Sequence, residues 1–385
     1  MKNGADILRN NSPRSRVIRT LKDWIRDGRF EPGEKLPGEL DIAEKLDVSR
    51  ETVRTALRHL EDSGLIRSIV NGRGRIVAGN EDISPERPLE KFIVVLSSLS
   101  EDPAKYAKSH SMWSLEAGMM DQCNRMGYHS MILNANCLKD GSFINMARNS
   151  PAGILLSHEI ARFDELCGQA LSEASSMKIP VVINSDREGL QKFDRIISDH
   201  ETGAYLLTKY LIGRGCKKIL RVWCSPKVQF WVRDRNSGYE KAMMESGLKV
   251  LSPVCIENLA VRIAGNRSNF DSRTRQYAGY LLEHISSSDP VDAIMVTSDS
   301  DFYPVTAACR LLNKVPGKDI LLAGYDNTWQ EFEERQWEES VPVATVDKRN
   351  FEIGGEMINM IMARIEGKLP EEPQLVKIKP HLITL

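Results

Sequence analysis

Long apolar runs are missing from these 385 residues: none approaches the roughly 18 needed to span a bilayer. The first residues, Met1-Lys2-Asn3-Gly4-Ala5-Asp6, carry no apolar core of the kind a signal peptide needs. Membrane insertion and secretion are therefore not expected, and a cytoplasmic location is. Cysteine is sparse, with seven residues (123, 137, 167, 216, 224, 255 and 309) and no C-x-x-C pair. Neither a zinc knuckle nor a disulfide framework is signalled, and no metal is expected. The seven histidines include no H-E-x-x-H, and the chain has no G-x-S-x-G elbow and no P-loop. Gly72 and Gly74 form only a G-x-G, without the third glycine or the preceding strand of a dinucleotide loop. No cofactor is expected, and an enzyme is the disfavoured alternative. A charge imbalance is also lacking: 52 Lys+Arg face 53 Asp+Glu, a net of −1. The total does not point to a polyanionic partner, but the distribution does.

Residues 1–80 hold 16 of the basic and 12 of the acidic residues, which leaves 36 and 41 for residues 81–385. The head is thus +4 and the remainder −5. Twelve of the sixteen head cations are arginine, whose planar fork matches phosphates and guanine edges. Within the head, Val17, Ile18, Leu21, Trp24 and Ile25 fall on one helical face, which stops at Asp27-Gly28. A short helix over 39–46 and a turn at Asp47-Val48 follow. Ser49 is placed to cap a third helix running from Arg50 to about Ser63, with Val53, Ala56, Leu57 and Leu60 inward. Two short strands, 66–70 and 75–77, flank Asn71-Gly72-Arg73-Gly74, where Asn-Gly favours a hairpin. Three helices and a basic-tipped hairpin predict a winged helix-turn-helix.

The head resembles the GntR family. The resemblance is carried by Pro32-Gly33-Glu34-Lys35-Leu36-Pro37, by the run from Val48 to Glu61, by Ser63-Gly64-Leu65-Ile66, and by Asn71 to Gly74. It implies that the third helix enters the major groove and the wing reaches the minor groove. Arg50 and Arg54 would then read guanine edges or clamp phosphate, and Ser49 and Thr52 would contact phosphate. Arg73, freed by Gly72 and Gly74, would enter the minor groove, with Arg75 as a further candidate. There is one departure: an Arg commonly follows the Glu at position 39, and here Leu40 stands there.

Residues 80–90, with Pro85, Pro88 and five charges, read as an extended connector. From Phe92 onward, strand candidates (92–96, 130–133, 153–156, 181–184, 195–197, 218–222, 293–297, 320–323 and 344–346) alternate with amphipathic helices. The helices fall at 113–126, 203–214, 237–246, 274–285, 304–312 and 354–365. This alternation predicts an α/β fold of parallel sheets, and about 295 residues exceed one core, so two lobes are expected. The expected division is 1–79 as DNA-binding domain, 80–90 as linker and 91–385 as a two-lobed body.

The body resembles a LacI/GalR-type effector domain, with the periplasmic-binding-protein-like (type I) α/β/α fold. The matching series includes Asp199 with Gly203 to Leu207, Leu211 to Ile219, Arg235-Asn236-Ser237-Gly238-Tyr239 and Asp292 to Val296. Val315 to Ile320, Ala323-Gly324-Tyr325-Asp326-Asn327, Thr345-Val346 and Phe351 to Gly354 complete it. A GntR-type head on such a body resembles the arabinose-repressor class of regulators. The resemblance implies a sugar effector between the lobes, with Arg235 and Asp326 as leading contacts. Asp299 and Ser298 stand where the family has Asn-Asp, Trp113 lies near its Asn-Pro-Phe segment, and Phe270, Asp186, Ser157 and His158 are further candidates. The expected function is a homodimeric repressor of carbohydrate-utilisation genes, binding palindromic double-stranded DNA. A dimeric regulator with a degenerate, ligand-independent cleft is the alternative.

Overall fold

A computed structural model describes residues 13–31, 33–62, 65–69, 74–78, 89–97, 110–138, 141–157, 165–223, 229–256, 259–260 and 262–385. The chain divides into two compact units, Met1–Arg87 and Pro88–Leu385.

The first unit contains α1 (Pro13–Arg26), α2 (Glu39–Leu46), α3 (Arg50–Asp62) and the antiparallel pair β1 (Ile66–Ser68) and β2 (Arg75–Val77). Val17, Leu21 and Trp24 lie at the i, i+4, i+7 positions of α1 and are buried. They close one core with Ile42 and Ala43 of α2, Val53, Ala56, Leu57 and Leu60 of α3, and Ile66 and Val77 of the hairpin. Asp47, left-handed at φ 51, makes the turn between α2 and α3. The Ser49 hydroxyl then accepts the Thr52 amide at 3.2 Å, which is the expected N-cap. The first hairpin strand is shorter than expected. Its tip, including Gly72 and Arg73, lies outside the described residues.

The second unit is built on two six-stranded sheets. The first lobe runs through β3 (Phe92–Ser97), α4 (His110–Arg125), β4 (His129–Asn134), α5 (Ser142–Ala147), β5 (Gly153–Leu156), α6 (Glu165–Ser176), β6 (Val181–Ile183) and β7 (Asp194–Ser198). The second takes α7 (His200–Gly213), β8 (Ile219–Trp223), α8 (Phe230–Glu245), β9 (Val254–Cys255), α9 (Arg267–Ile285), β10 (Ala293–Val296), α10 (Phe302–Leu311), β11 (Leu321–Ala323) and β12 (Ala344–Asp347). The chain then returns to the first lobe with α11 (Asn350–Ile365) and β13 (Leu375–Ile378), and ends with β14 (His381–Thr384) in the second. The strand orders are β13-β7-β6-β5-β3-β4 and β14-β12-β11-β10-β8-β9, and only β14 pairs antiparallel. β5, β6, β7, β8 and β10 are buried along their whole length, because helices cover both faces of a parallel sheet.

All nine expected strands of this unit are present, within a residue or two at their ends. The structure adds β9, β13 and β14, and it starts α8 and α9 about two turns earlier than the periodicity suggests. Three crossings join the lobes, at residue 199, at 348–349 and at 379–380. They run side by side: the Asp199 amide donates to Ile378 O at 2.8 Å, and Arg349 Nη1 donates to Lys379 O at 3.2 Å. Close helix contacts brace the frame. A Cβ on Gly118 of α4 would stand 1.9 Å from Phe351 O of α11, and one on Gly238 of α8 would stand 2.0 Å from Glu201 O of α7.

Candidate DNA interface and effector cleft

In the first unit α3 turns Arg50 and Arg54 outward, with side chains 56% and 40% exposed. Neither is loose. Glu39, at the start of α2, binds Arg50 Nε at 3.1 Å, Arg54 Nη2 at 3.3 Å and Arg75 Nη1 at 3.4 Å. Burial pushes the Glu39 carboxyl up, but the hydrogen bonds from the three arginines outweigh it, and the net shift is below the ordinary value. Arg54 also meets Glu51 at 3.0 Å, and Arg75 meets Glu61 at 3.2 Å. Arg75 therefore fastens the hairpin to α2 and α3, whereas Arg50 and Arg54 keep an exposed face. Ser49 and Thr52 share a 2.8 Å hydroxyl contact at the helix start. Gly74 sits at φ +124, and a Cβ there would meet Lys35 Cε at 2.5 Å. Glu39 carries no motif of its own. Its role becomes visible only once α2 and α3 are packed.

In open α/β sheets the usual ligand position lies beyond the carboxyl ends of the strands, and in the second unit the segments after β10 and β11 carry Ser298, Asp299 and Asp326 there. Arg235, on α8, is 4% exposed, and its Nη1 donates to Thr297 O at the end of β10, at 2.6 Å. Its guanidinium lies 3.5 Å from the Tyr325 ring centroid and 4.7 Å from that of Trp231, so it is stacked between two rings. His200, first residue of α7, adds a ring 5.8 Å from Phe230 and 6.1 Å from Tyr325. Burial, then the charges of Arg235, Lys348 and Lys377, hold its imidazole well below the usual histidine range, so it is neutral at pH 7. Arg235 Nε and His200 Nδ1 are buried without a hydrogen-bond partner among the described residues. Burial also pushes the Tyr325 phenol up to about 12.

Asp326 follows Tyr325 in a strained backbone conformation, φ 103. Its amide donates to Val346 O at 2.8 Å, and its carboxylate pairs with Lys348 Nζ at 2.9 Å. Asp299 is fully buried and turned inward. It accepts the amides of Thr328 at 2.7 Å and Trp329 at 3.2 Å, and the Thr345 hydroxyl at 3.1 Å. Burial, then the neighbouring charge of Asp326, push Asp299 up to about 7. It is a positioning residue for the loop that carries Asp326. Ser298 is half-buried, and its hydroxyl accepts the Ser300 amide at 3.3 Å. Lys377 of β13 in the first lobe lies 3.8 Å from Asp234 of α8 in the second, an ion pair between lobes.

The remaining expected contacts are placed differently. Phe270 is 3% exposed, in the core of the second lobe, with its ring 5.3 Å from Trp337. Ser157 is fully buried and donates to Leu96 O at 3.3 Å and to Glu116 Oε1 at 3.1 Å. Asp186 pairs with Arg195. Trp113 is 45% exposed on α4. His158 lies outside the described residues, as do residues 159–164, 98–109 and 224–228. Trp231, Phe230 and His200 were not anticipated. Trp231 and Arg235 are one helical turn apart, so extending α8 back to residue 230 would have placed them on one face.

Two families match this arrangement. Residues 13–77 match the gntR family of bacterial regulatory proteins, and residues 208–384 match the periplasmic binding protein-like domain. The chain therefore joins a GntR-type helix-turn-helix domain to a periplasmic-binding-protein-like domain, a combination of transcriptional regulators. Among curated relatives it is 28% identical over 369 residues, 94% of either chain, to an arabinose metabolism transcriptional repressor of Geobacillus stearothermophilus. It is 26% identical over 280 residues, 69% of this chain and 74% of the relative, to the HTH-type transcriptional repressor PurR of Vibrio atlanticus. Among solved structures, a transcriptional regulator CelR–cellobiose complex has the same fold. Its TM-score is 0.60 at 18% identity, over 87% of this chain and 89% of that one. Among the described residues no helix is long and apolar enough to cross a membrane, and no group of three or more His, Cys, Asp or Glu is placed to hold a metal ion.

Proposed function

We propose that this protein is a DNA-binding repressor of carbohydrate-utilisation genes, switched by a sugar held between the lobes of its second unit. Residues 1–79 bind the operator, 80–90 connect, and 91–385 bind the effector and dimerise. It acts in the cytoplasm as a homodimer whose two heads read the half-sites of a palindrome. One observation carries the reading. A compact unit with Arg50 and Arg54 on its exposed helix face shares a chain with a two-lobed unit in which Arg235 packs against Trp231 and Tyr325 and Asp326 pairs with Lys348 at a lobe crossing. Guanidinium and carboxylate suit sugar hydroxyls, and aromatic rings suit the apolar face of a pyranose or furanose. Similarity along 94% of the chain to an arabinose metabolism repressor supports a sugar as the ligand class.

Each Arg–guanine pair contributes about 1–3 kcal/mol of discrimination, and Arg73 between Gly72 and Gly74 adds a minor-groove contact. The effector acts by binding one lobe arrangement more tightly than the other, since equal affinity would shift nothing. The test uses full-length protein and duplexes enriched from a random pool, titrated by fluorescence anisotropy. A panel of pentoses, hexoses, uronic acids and disaccharides is then added. Arg50→Ala is expected to weaken binding about tenfold or more. One panel sugar is expected to change the affinity of the wild type but not of Arg235→Ala. DNA binding that ignores every sugar would overturn the effector reading.

A further inference from the structure

We propose that Leu40 reads the 5-methyl group of a thymine in the operator's major groove, and so sets base preference beside Arg50 and Arg54. The inference rests on the reading of α3 as the recognition helix. Leu40 is 59% exposed, whereas Leu36, Ile42 and Ala43 around it are 3%, 1% and 8% exposed and form the core. It is therefore an apolar side chain on the outer surface of α2. Its neighbour Glu39 bonds Arg50, Arg54 and Arg75, which brings the first turn of α2 level with the start of α3. Leu40 and Arg50 line one concavity of about 480 Å³ between these two helices.

A leucine carried to DNA at that level can neither donate to a phosphate nor bond a base edge. The one apolar group on a base edge in the major groove is the thymine methyl, and an alkyl side chain gains by covering it. Glu44 and Asp47, on the same concavity, repel phosphate oxygens, so the base edge fits better than the strand backbone. Arg50 and Arg54 would then read or clamp through their forks while Leu40 adds a thymine requirement at an adjacent position.

The test removes only the methyl. Full-length wild type and Leu40→Ala are each used to enrich duplexes from a random pool. Every thymine of the wild-type site is then replaced singly by deoxyuridine. One position per half-site is expected to weaken the wild type about fourfold, the worth of one methyl group returned to water. The same change is expected to leave Leu40→Ala unaffected, and the sequences enriched by Leu40→Ala should lose the thymine there. If every deoxyuridine affects both proteins equally, or both enrich the same sequence, Leu40 is not the reader. If Arg50→Ala binds the wild-type site undiminished, the recognition-helix reading fails instead. Because Leu40 lies outside the core and alanine favours helix, loss of folding does not confuse the outcome, and circular dichroism checks it.

Discussion

Asp299 is buried and ties the segment after Asp326 to β12. Its carboxylate is enclosed by two amides and a hydroxyl, and the folded chain keeps it protonated up to about pH 7, against 3.8 for the free side chain. The folded state therefore holds this proton more tightly than the unfolded one. The stability it contributes is complete below about pH 4 and is lost as the pH rises through 7. Asp299→Asn can still accept the Thr328 amide and donate to Thr345, but it does not titrate. The melting temperature of the wild type relative to Asp299→Asn is therefore expected to fall between pH 5 and pH 8, measured by calorimetry in matched buffers. A difference that stays flat or rises would contradict the assignment. At this scale a spaced motif marks Arg50, Arg54, Arg235 and Asp326 as candidates from the sequence alone. The roles of Glu39 and Asp299 are not marked in this way, because they depend on groups brought from other elements.

Elements differ in how openly they announce themselves. α1 and α3 bury one face against one small core, so their period is plain, and Ser49 marks the start of α3 by capping it. α8 begins at Phe230 after Gln229, which makes no side-chain cap bond, and its opening Phe-Trp-Val has no helical signature. Periodicity accordingly placed its start near Ser237, although Arg235 is held in position by the turns before that residue. The seat of α8 is decided by Gly238, where a Cβ would overlap the α7 backbone at Glu201. Gly238→Ala is expected to destabilise the protein by about 1–3 kcal/mol, the usual cost of overpacking. Any sugar response should weaken in the same variant, because α8 must back away and take Trp231 and Arg235 with it. Urea unfolding and the anisotropy titration measure the two effects. β13 and β14 were missed for another reason. Each has only four residues at a sheet edge and is mostly exposed or half-buried, so neither shows the apolar run of the inner strands.

For the whole molecule, the three crossings are where a change of lobe arrangement must be absorbed, since the rest of each lobe is a six-stranded sheet with its own core. A panel sugar that binds is expected to slow amide exchange at residues 199, 348–349 and 379, and at the loop 324–329, well before the sheet centres respond. Uniform slowing throughout the second unit, or slowing confined to α1–α3, would argue against a ligand seated between the lobes. The Lys377–Asp234 pair joins the lobes within this region, so its exchange behaviour should follow that of the crossings. The near-zero net charge of the chain has a modular origin at this scale. A head of +4 and a remainder of −5 place the excess arginine on the unit proposed to meet a polyanion.

The sequence by itself determined what depends on neighbours in the chain. These features are the helical period of the head, the cap at Ser49, nine of the twelve strands of the second unit and the spaced motifs around Arg235 and Asp326. Local periodicity and backbone preference act over a few residues, so they can be read in one dimension. Only the tertiary structure decided which polar groups are buried in the frame and which stay exposed. It turned Asp299 inward, placed Phe270 in the core, stacked Arg235 between Trp231 and Tyr325, and tied three arginines to Glu39. Burial and charge pairing depend on groups far apart in sequence, and these meet only when the elements pack.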